Sequence, residues 1–541
     1  MKAQSTKRFL GYEPKDFILA FQHVFAMLGA TVLVPMLANM SISIALLSAG
    51  FGTIIFYFVT KKKVPVFLGS SFAFLAALQL QMGKAGEIGS QTWNFAMAEL
   101  SFAVMCTGLV YVVLSFIVKK IGTNFIKKLF PPVVVGPVII VIGMCLAPVA
   151  INNFDAVKIV GETATELQIA GFIVSGLMTT ITIILVSVFA KGFFKIVPVL
   201  SGIVVGYITA CCFNAGGANL VNFESIKNSG WILFEPSVFM NSFGWYGEIP
   251  NIWTPHLGQV ILMFVPIAFV TFMEHLGDIN ASSVVCEKDF IKDPGVHRTL
   301  LGDGLATVAA GFLGGPCNTT YGENTAVLSI TNNYNPRVLC LAGIFSVLLG
   351  IFTKVGSILG SIPAPVIGGA SLVLYGMIAA NGLKTMVEAK VDFSDSKNMI
   401  ICSIILVVGI GMSAAGEVLE IGILKFSALA VATFVGIFLN ALFMLRKEKQ
   451  PSGLTATYSG NMDPTEAIEE KQAEQALLEL QKEIENDEKE GKIIPQVKET
   501  TCPKCGGKIL TDAKFCKHCG AVLQNIEKTD NLTENNETLN K

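Results

Sequence analysis

Charge is scarce in this chain. Only 15% of its 541 residues are Asp, Glu, Lys or Arg, against about 25% in an average soluble domain. The shortage is uneven, because 14 of the 39 Lys and Arg and 18 of the 40 Asp and Glu follow Leu445. Histidine occurs five times and tryptophan four. A first part this poor in charge excludes an ordinary soluble enzyme, and without a basic stripe no nucleic-acid partner is expected. No Ser/His/Asp set, phosphate loop or metal cluster stands in the apolar part, so the reading is a carrier, not an enzyme. A cleavable leader is also missing. Lys2, Lys7 and Arg8 precede the first apolar run, but that run is long enough to span and ends in no A-x-A site.

What is present is hydrophobic length. The chain is 52% hydrophobic, and apolar runs long enough to cross a bilayer recur up to about residue 445. About fourteen are expected, starting near residues 17, 42, 64, 95, 130, 167, 194, 258, 300, 317, 338, 364, 398 and 421. Lys and Arg cluster in the loops after even-numbered spans, as in Lys61-Lys62-Lys63, Lys119-Lys120, Lys288 with Lys292 and Arg298, and Arg337. That bias places both termini on the cytoplasmic side of the cell membrane.

The two halves echo each other. Gln22-His23 matches Glu274-His275, "PPVVVGP" at 131–137 matches "APVIGGA" at 364–370, and "PVFLGSSFAF" at 65–74 holds the rank of "CNTTYGEN" at 317–324. Seven is odd, so a second copy of seven spans lies inverted in the membrane. The fold class is thus an all-α polytopic membrane protein of two inverted seven-span repeats, the architecture of secondary transporters with a midplane site.

Carboxylates at membrane depth cost at least about 2.5 kcal/mol each and need a partner or a task. Glu274 and Asp278 lie four apart on one helix face, and Glu323 sits in the interrupted stretch "GGPCNTTYGENTAV", residues 314–327. Two carboxylates on one dry face do not both keep their charge cheaply, which suits a proton-coupled carrier. The plainer alternative is a protonated carboxyl bonding a neighbouring helix. His275 reads first as a packing histidine and second as an organiser of the site. Gly315-Pro316 breaks span 10, Gly322 allows close approach to the backbone, and Glu323-Asn324 starts a half-helix whose free N–H groups face the midplane. Span 3 has the matching break at Leu68-Gly69-Ser70-Ser71, followed by Phe72. Two such breaks facing each other leave unpaired backbone groups for a small planar polar ligand, and Phe72 adds an aromatic surface.

"QHVFAMLGATVLVP", "GSSFAF", "EHLGD", "KDPGVHR", "NTTYGEN" and "PAPVIGGASLVLYG" resemble the nucleobase:cation symporter-2 family, and within it the bacterial uracil permeases, over roughly residues 11–443. The resemblance implies core and gate domains, a short strand ahead of each half-helix in spans 3 and 10, and a homodimer. It implies that Glu274 and Glu323 hydrogen-bond uracil, that Gly322 and Phe72 offer backbone contacts, and that Asn324 orients the site. Uracil is preferred over xanthine or urate by Ser71-Phe72-Ala73-Phe74; an anion carrier of the same architecture would want a cationic site. Asp278 departs from the histidine expected at its position and leaves the coupling ion, proton or another cation, open.

Four domains follow: a transporter at 1–445, a charged helical linker at 446–500, a zinc ribbon at 501–524 and a polar, disordered tail at 525–541. The ribbon rests on "CPKCGGKILTDAKFCKHCG", in which Cys502, Cys505, Cys516 and Cys519 form two CxxC knuckles. Such spacing in a reducing compartment is a tetrahedral zinc signature. Its partner is not specified by the sequence.

Overall fold

The computed structural model describes residues 13–83, 85–122, 128, 130–416, 419–421, 424–445, 499–501 and 508–510. Contacts divide the chain into a unit of residues 1–468 and a unit of residues 469–541. In lipid every backbone N–H and C=O must find its partner within the protein, so apolar runs become helices. Spans 1 and 2 are Pro14–Leu37 and Ile42–Val59. Span 3 is a strand, β1 (Leu68–Ser70), a 3-10 turn (Phe72–Phe74) and a half-helix (Leu75–Met82). Spans 4 to 7 are Gln91–Ile121, Pro132–Asn152, Glu166–Phe189 and Pro198–Ala215. Span 8 joins Pro255–Phe264 to Ile267–Cys286, and span 9 is Val296–Leu313. Span 10 repeats the broken plan with β2 (Asn318–Thr320) and a half-helix (Glu323–Thr331). Span 11 runs Pro336–Ile351 and then bends by 78° into Thr353–Gly360. Spans 12 to 14 are Ala364–Glu388, Ser396–Ala415 and Ala428–Leu445.

Among the described residues nine helices are long and apolar enough to cross a membrane alone, and the bent pair of span 11 makes ten. The others are the two broken spans, the more polar span 9 and the short span 14. Span 14 begins later than the apolar run predicts, because a hairpin of β3 (Leu419–Ile421) and β4 (Leu424–Phe426) takes up the first residues.

Loop contacts follow the parity of the charge pattern. Lys63, after span 2, pairs with Asp293, after span 8, and Arg298 donates to Val59 O at 3.2 Å. On the other face Asn39, after span 1, donates to Gly86 O at 2.8 Å, and Lys354 in span 11 donates to Ser229 O at 2.7 Å. The loops after spans 2 and 8 thus meet each other, as do those after spans 1 and 3.

Packing carries the repeat symmetry. Span 4 packs on span 9 and span 11 on span 2; span 6 packs on span 7 and span 13 on span 14; span 5 packs on span 13 and span 12 on span 6. Shifting each number by seven, with the count running on from 14 to 1, turns every pair into another of the set. Glycines repeat the relation at atomic scale. A Cβ on Gly50 would lie 2.5 Å from Gly343 O, and one on Gly108 would lie 2.7 Å from Gly304 O, so the two image pairs of helices touch backbone to backbone. Spans 1–4 and 8–11 form one bundle, the core, which holds both broken spans, and spans 5–7 and 12–14 form the gate.

In the second unit the described residues form one hairpin. β5 (Glu499–Thr501) pairs antiparallel with β6 (Lys508–Leu510), with Thr501 opposite Lys508. The four cysteines, most of the charged linker and the tail lie outside the described residues.

Candidate substrate site at the paired strands

β1 and β2 pair with each other, antiparallel, placing Leu68 opposite Thr320, Gly69 opposite Thr319 and Ser70 opposite Asn318. The ladder continues at both ends, with Ser71 N–H donating to Cys317 O at 2.9 Å and Tyr321 N–H to Phe67 O at 3.3 Å. This corrects the expectation of two breaks left open to a ligand. The strands satisfy much of each other's backbone, and the groups left over are at the half-helix starts. Those starts leave from opposite ends of the ribbon, Phe72 beyond the Ser70 end and Glu323 beyond the Thr320 end. At about 3.4 Å per residue the ribbon is only about 10 Å long, so two positive helix ends flank one small region.

Neighbouring spans pin the ribbon. Leu68 N–H donates to Thr53 Oγ1 at 3.0 Å, the Thr307 hydroxyl to Asn318 O at 3.1 Å and the Tyr321 hydroxyl to Ser70 O at 2.8 Å. A Cβ on Gly69 would lie 2.6 Å from the Tyr321 ring and 2.8 Å from Thr31 Oγ1, so the strand passes where only glycine fits.

Span 8 brings its carboxylates to the Thr320 end. The Thr320 hydroxyl donates to Asp278 Oδ2 at 2.8 Å. A Cβ on Gly322 would lie 2.9 Å from Asp278 Oδ1, so Gly322 makes room for that carboxylate. One turn on, the hydroxyls of Ser282 and Thr325 are 3.2 Å apart. Glu274, one turn before Asp278, is half-buried and shares its helix face. For Glu323 the structure describes the backbone, at the first position of the half-helix; its side chain lies outside the described residues.

Asn324 is fully buried. Its Oδ1 lies 2.6 Å from His23 Nδ1 and its amide donates to Pro65 O at 3.1 Å. It therefore ties the half-helix to span 1 and to the chain entering β1, an organising role. His23 was not singled out from the sequence, although the echo of Gln22-His23 with Glu274-His275 marked it. At the other end Phe72 is half-buried and meets Tyr375 of span 12 edge-on, with ring centroids 6.2 Å apart. Tyr375 is a gate residue, so core and gate meet at Phe72; nothing local in the sequence marks that tyrosine.

His275 is not brought to this group. It turns to span 9, where Nε2 lies 3.0 Å from Thr299 Oγ1 and Nδ1 lies 3.1 Å from Asp303 Oδ2. The Nδ1 contact with Asp303 is close in distance but does not meet hydrogen-bond geometry. Both residues are buried, which agrees with the packing reading. Asp303 and Glu99 are two further buried carboxylates that no motif or spacing marks in the sequence.

A two-bundle membrane fold with paired broken spans defines the chain as a transporter of the inverted-repeat class. Residues 14–418 match the model of a permease family. The chain is 40% identical to a probable uracil permease of Pasteurella multocida over 431 residues, covering 79% of this chain and 93% of that one. It is 38% identical to the uracil permease of Bacillus subtilis, over 80% and 93% of the two chains. The chain belongs to this permease family. Among solved structures it is similar in fold to the transmembrane domain of the cyanobacterial bicarbonate transporter BicA (TM-score 0.50, 13% identity, 79% of this chain and 97% of that one). A second is the murine anion transporter Slc26a9 in its inward-facing state (TM-score 0.53, 11% identity, 81% and 69%). Residues 501–523 match a zinc-ribbon domain.

Proposed function

We propose that this protein imports uracil across the cytoplasmic membrane by alternating access, with a proton moving alongside. The observation that carries the reading is the grouping of Asp278, Thr320 and Gly322 beside the start of the span 10 half-helix, with Phe72 across the paired strands. Uracil presents N–H donors and C=O acceptors on a flat edge. Carboxylates of Glu274 and Glu323 accept from the N–H groups, half-helix N–H groups donate to the carbonyls, and Phe72 covers the ring. Asp278 takes and releases the proton, because a carboxyl held by a threonine hydroxyl one turn from Glu274 changes its charge with the charge around it. Motion of the core against the gate, across the Phe72–Tyr375 contact, exposes the site to each side in turn. The relatives named as uracil permeases support the substrate, and the loop charge pattern supports cytoplasmic termini. A homodimer, embedded in lipid, is the expected assembly.

Uptake of radiolabelled uracil by the purified protein in liposomes, with and without an imposed pH gradient, tests the reading. Accumulation should need the gradient and should resist competition by xanthine and urate. Uptake indifferent to the gradient removes the proton, and competition by purines removes the uracil preference.

The ribbon is a separate module. β5 and β6 flank residues 502–507 in the sequence, which include Cys502 and Cys505. Together with Cys516 and Cys519 they form a thiolate set suited to a structural zinc ion, which holds the knuckles together. Truncation after Lys449 should leave uracil uptake near normal, and Cys502→Ser should lower zinc content without changing uptake. A large change in uptake rate at equal expression would make the ribbon a regulator of transport.

A further inference from the structure

Glu99 lies two turns into span 4 and is 1% exposed. His256 Nδ1 is 3.0 and 2.9 Å from its two oxygens, and Gln81 Nε2 donates to Oε2 at 3.0 Å. One ring nitrogen and one side-chain amide thus converge on the same carboxyl group. The three residues come from three elements. Gln81 is near the end of the span 3 half-helix that starts after Phe72, and His256 is the second residue of span 8, which continues to Glu274 and Asp278. Glu99 itself stands on span 4, locked to span 9 through Gly108 and Gly304.

A buried carboxylate costs several kcal/mol, and well-packed apolar side chains would serve packing as well or better. What apolar packing lacks is direction. Two partners from two spans, one of them shared between both oxygens, fix the rotation and height of two helix ends against one carboxyl group. The N-terminus of span 8, where His256 sits, also favours a negative charge. The helix ends held there belong to the two spans that carry Phe72 and Glu274.

We propose that Glu99 is a positioning residue for the substrate site, setting the distance between Phe72 on span 3 and the carboxylates on span 8. The proposal rests on the reading of that site as a nucleobase site. Loss of Glu99 widens or skews the site without touching the ligand, so affinity falls while turnover at saturation holds. Glu99→Gln keeps an acceptor for His256 and the same volume, and should retain much of the wild-type affinity.

The test is equilibrium binding of radiolabelled uracil to the full-length purified protein, with exchange at saturating uracil in liposomes. Glu99→Ala should raise Kd about tenfold with saturated exchange within twofold of wild type, and Glu99→Gln should raise Kd less than threefold. A folded, monodisperse Glu99→Ala with Kd within twofold of wild type overturns the proposal, as does a loss of saturated exchange at unchanged Kd. Should Glu99→Ala not fold, Gln81→Met removes one donor at nearly constant volume. A Kd raised about threefold then supports the proposal and an unchanged Kd overturns it. A wild type that binds another nucleobase in place of uracil sinks the substrate reading alone, and the same variants are then scored with that nucleobase.

Discussion

Spans 3 and 10 share a backbone plan and differ in chemistry. Each is a three-residue strand followed by a half-helix, and the strands pair with each other. Yet span 3 reads "LGSSFAF" through its break and span 10 reads "NTTYGEN". One copy supplies the glycine that lets the chains cross and the aromatic ring of Phe72. The other supplies the Thr320 hydroxyl on Asp278, the Asn324 amide on His23 and the Glu323 position at the helix start. Inverted symmetry builds two helix ends about one point, and the side chains of the two copies diverge there. The polar chemistry is then concentrated on the span 10 side, and substitutions there should act on the ligand, whereas those in span 3 should act first on the ribbon.

The largest effect is expected at Glu323. Glu323→Gln keeps volume and removes a charged acceptor at the half-helix start. A hydrogen bond to a charged group is worth about 1.5–3 kcal/mol, or roughly 10- to 150-fold in affinity. Titration calorimetry with uracil should show that loss with the melting temperature of the free protein nearly unchanged. Equal affinity would mean that span 10 is not the polar side of the site. Next comes Asp278→Asn, which should abolish pH-driven accumulation while counterflow survives, because Thr320 can still donate to the amide oxygen. Normal accumulation would shift the proton to Glu274.

The glycines separate the two breaks more finely. Gly69→Ala sets a Cβ 2.6 Å from the Tyr321 ring, held in place by its bond to Ser70 O. Overpacking of this kind costs about 1–3 kcal/mol, so the free protein should melt at lower temperature. Gly322→Ala sets a Cβ 2.9 Å from Asp278 Oδ1, a single side-chain oxygen and not a packed ring. Stability should then change little while transport falls. Equal losses of stability would erase the contrast between the copies.

Much of this was legible in the sequence, for identifiable reasons. Span number and loop sidedness follow from apolar length and lysine placement, which lipid enforces locally. The two breaks follow from Gly and Pro in otherwise continuous runs. The mutual pairing of the strands was not legible, because it joins positions about 250 residues apart; the family resemblance implies only a short strand in each break. His23 and Tyr375 escaped for the same reason. Their roles exist only once span 1 and span 12 are folded against spans 10 and 3. Glu99 escaped because one carboxylate in a long apolar helix carries no spacing pattern, its partners being supplied by two other spans.

The smallest effect is expected at Ser71, and it is the most discriminating. Ser71 caps the 3-10 turn that starts at Phe72, but its side chain makes no cap hydrogen bond, and Oγ is buried without a hydrogen-bond partner among the described residues. Its N–H donates to Cys317 O at 2.9 Å, and alanine keeps that bond. Removing an unsatisfied buried hydroxyl is close to neutral or mildly stabilising, so Ser71→Ala should melt at or slightly above the wild-type temperature without ligand. A hydroxyl at the start of a half-helix beside the site is nonetheless well placed to meet a uracil carbonyl. A neutral hydrogen bond contributes about 0.5–1.5 kcal/mol, so its loss should weaken uracil binding roughly 2- to 13-fold. Weaker binding with an equal or higher melting temperature would give span 3 a polar contact with the ligand and soften the division between the copies. Unchanged binding would leave span 3 as the apolar wall and assign all polar recognition to spans 8 and 10.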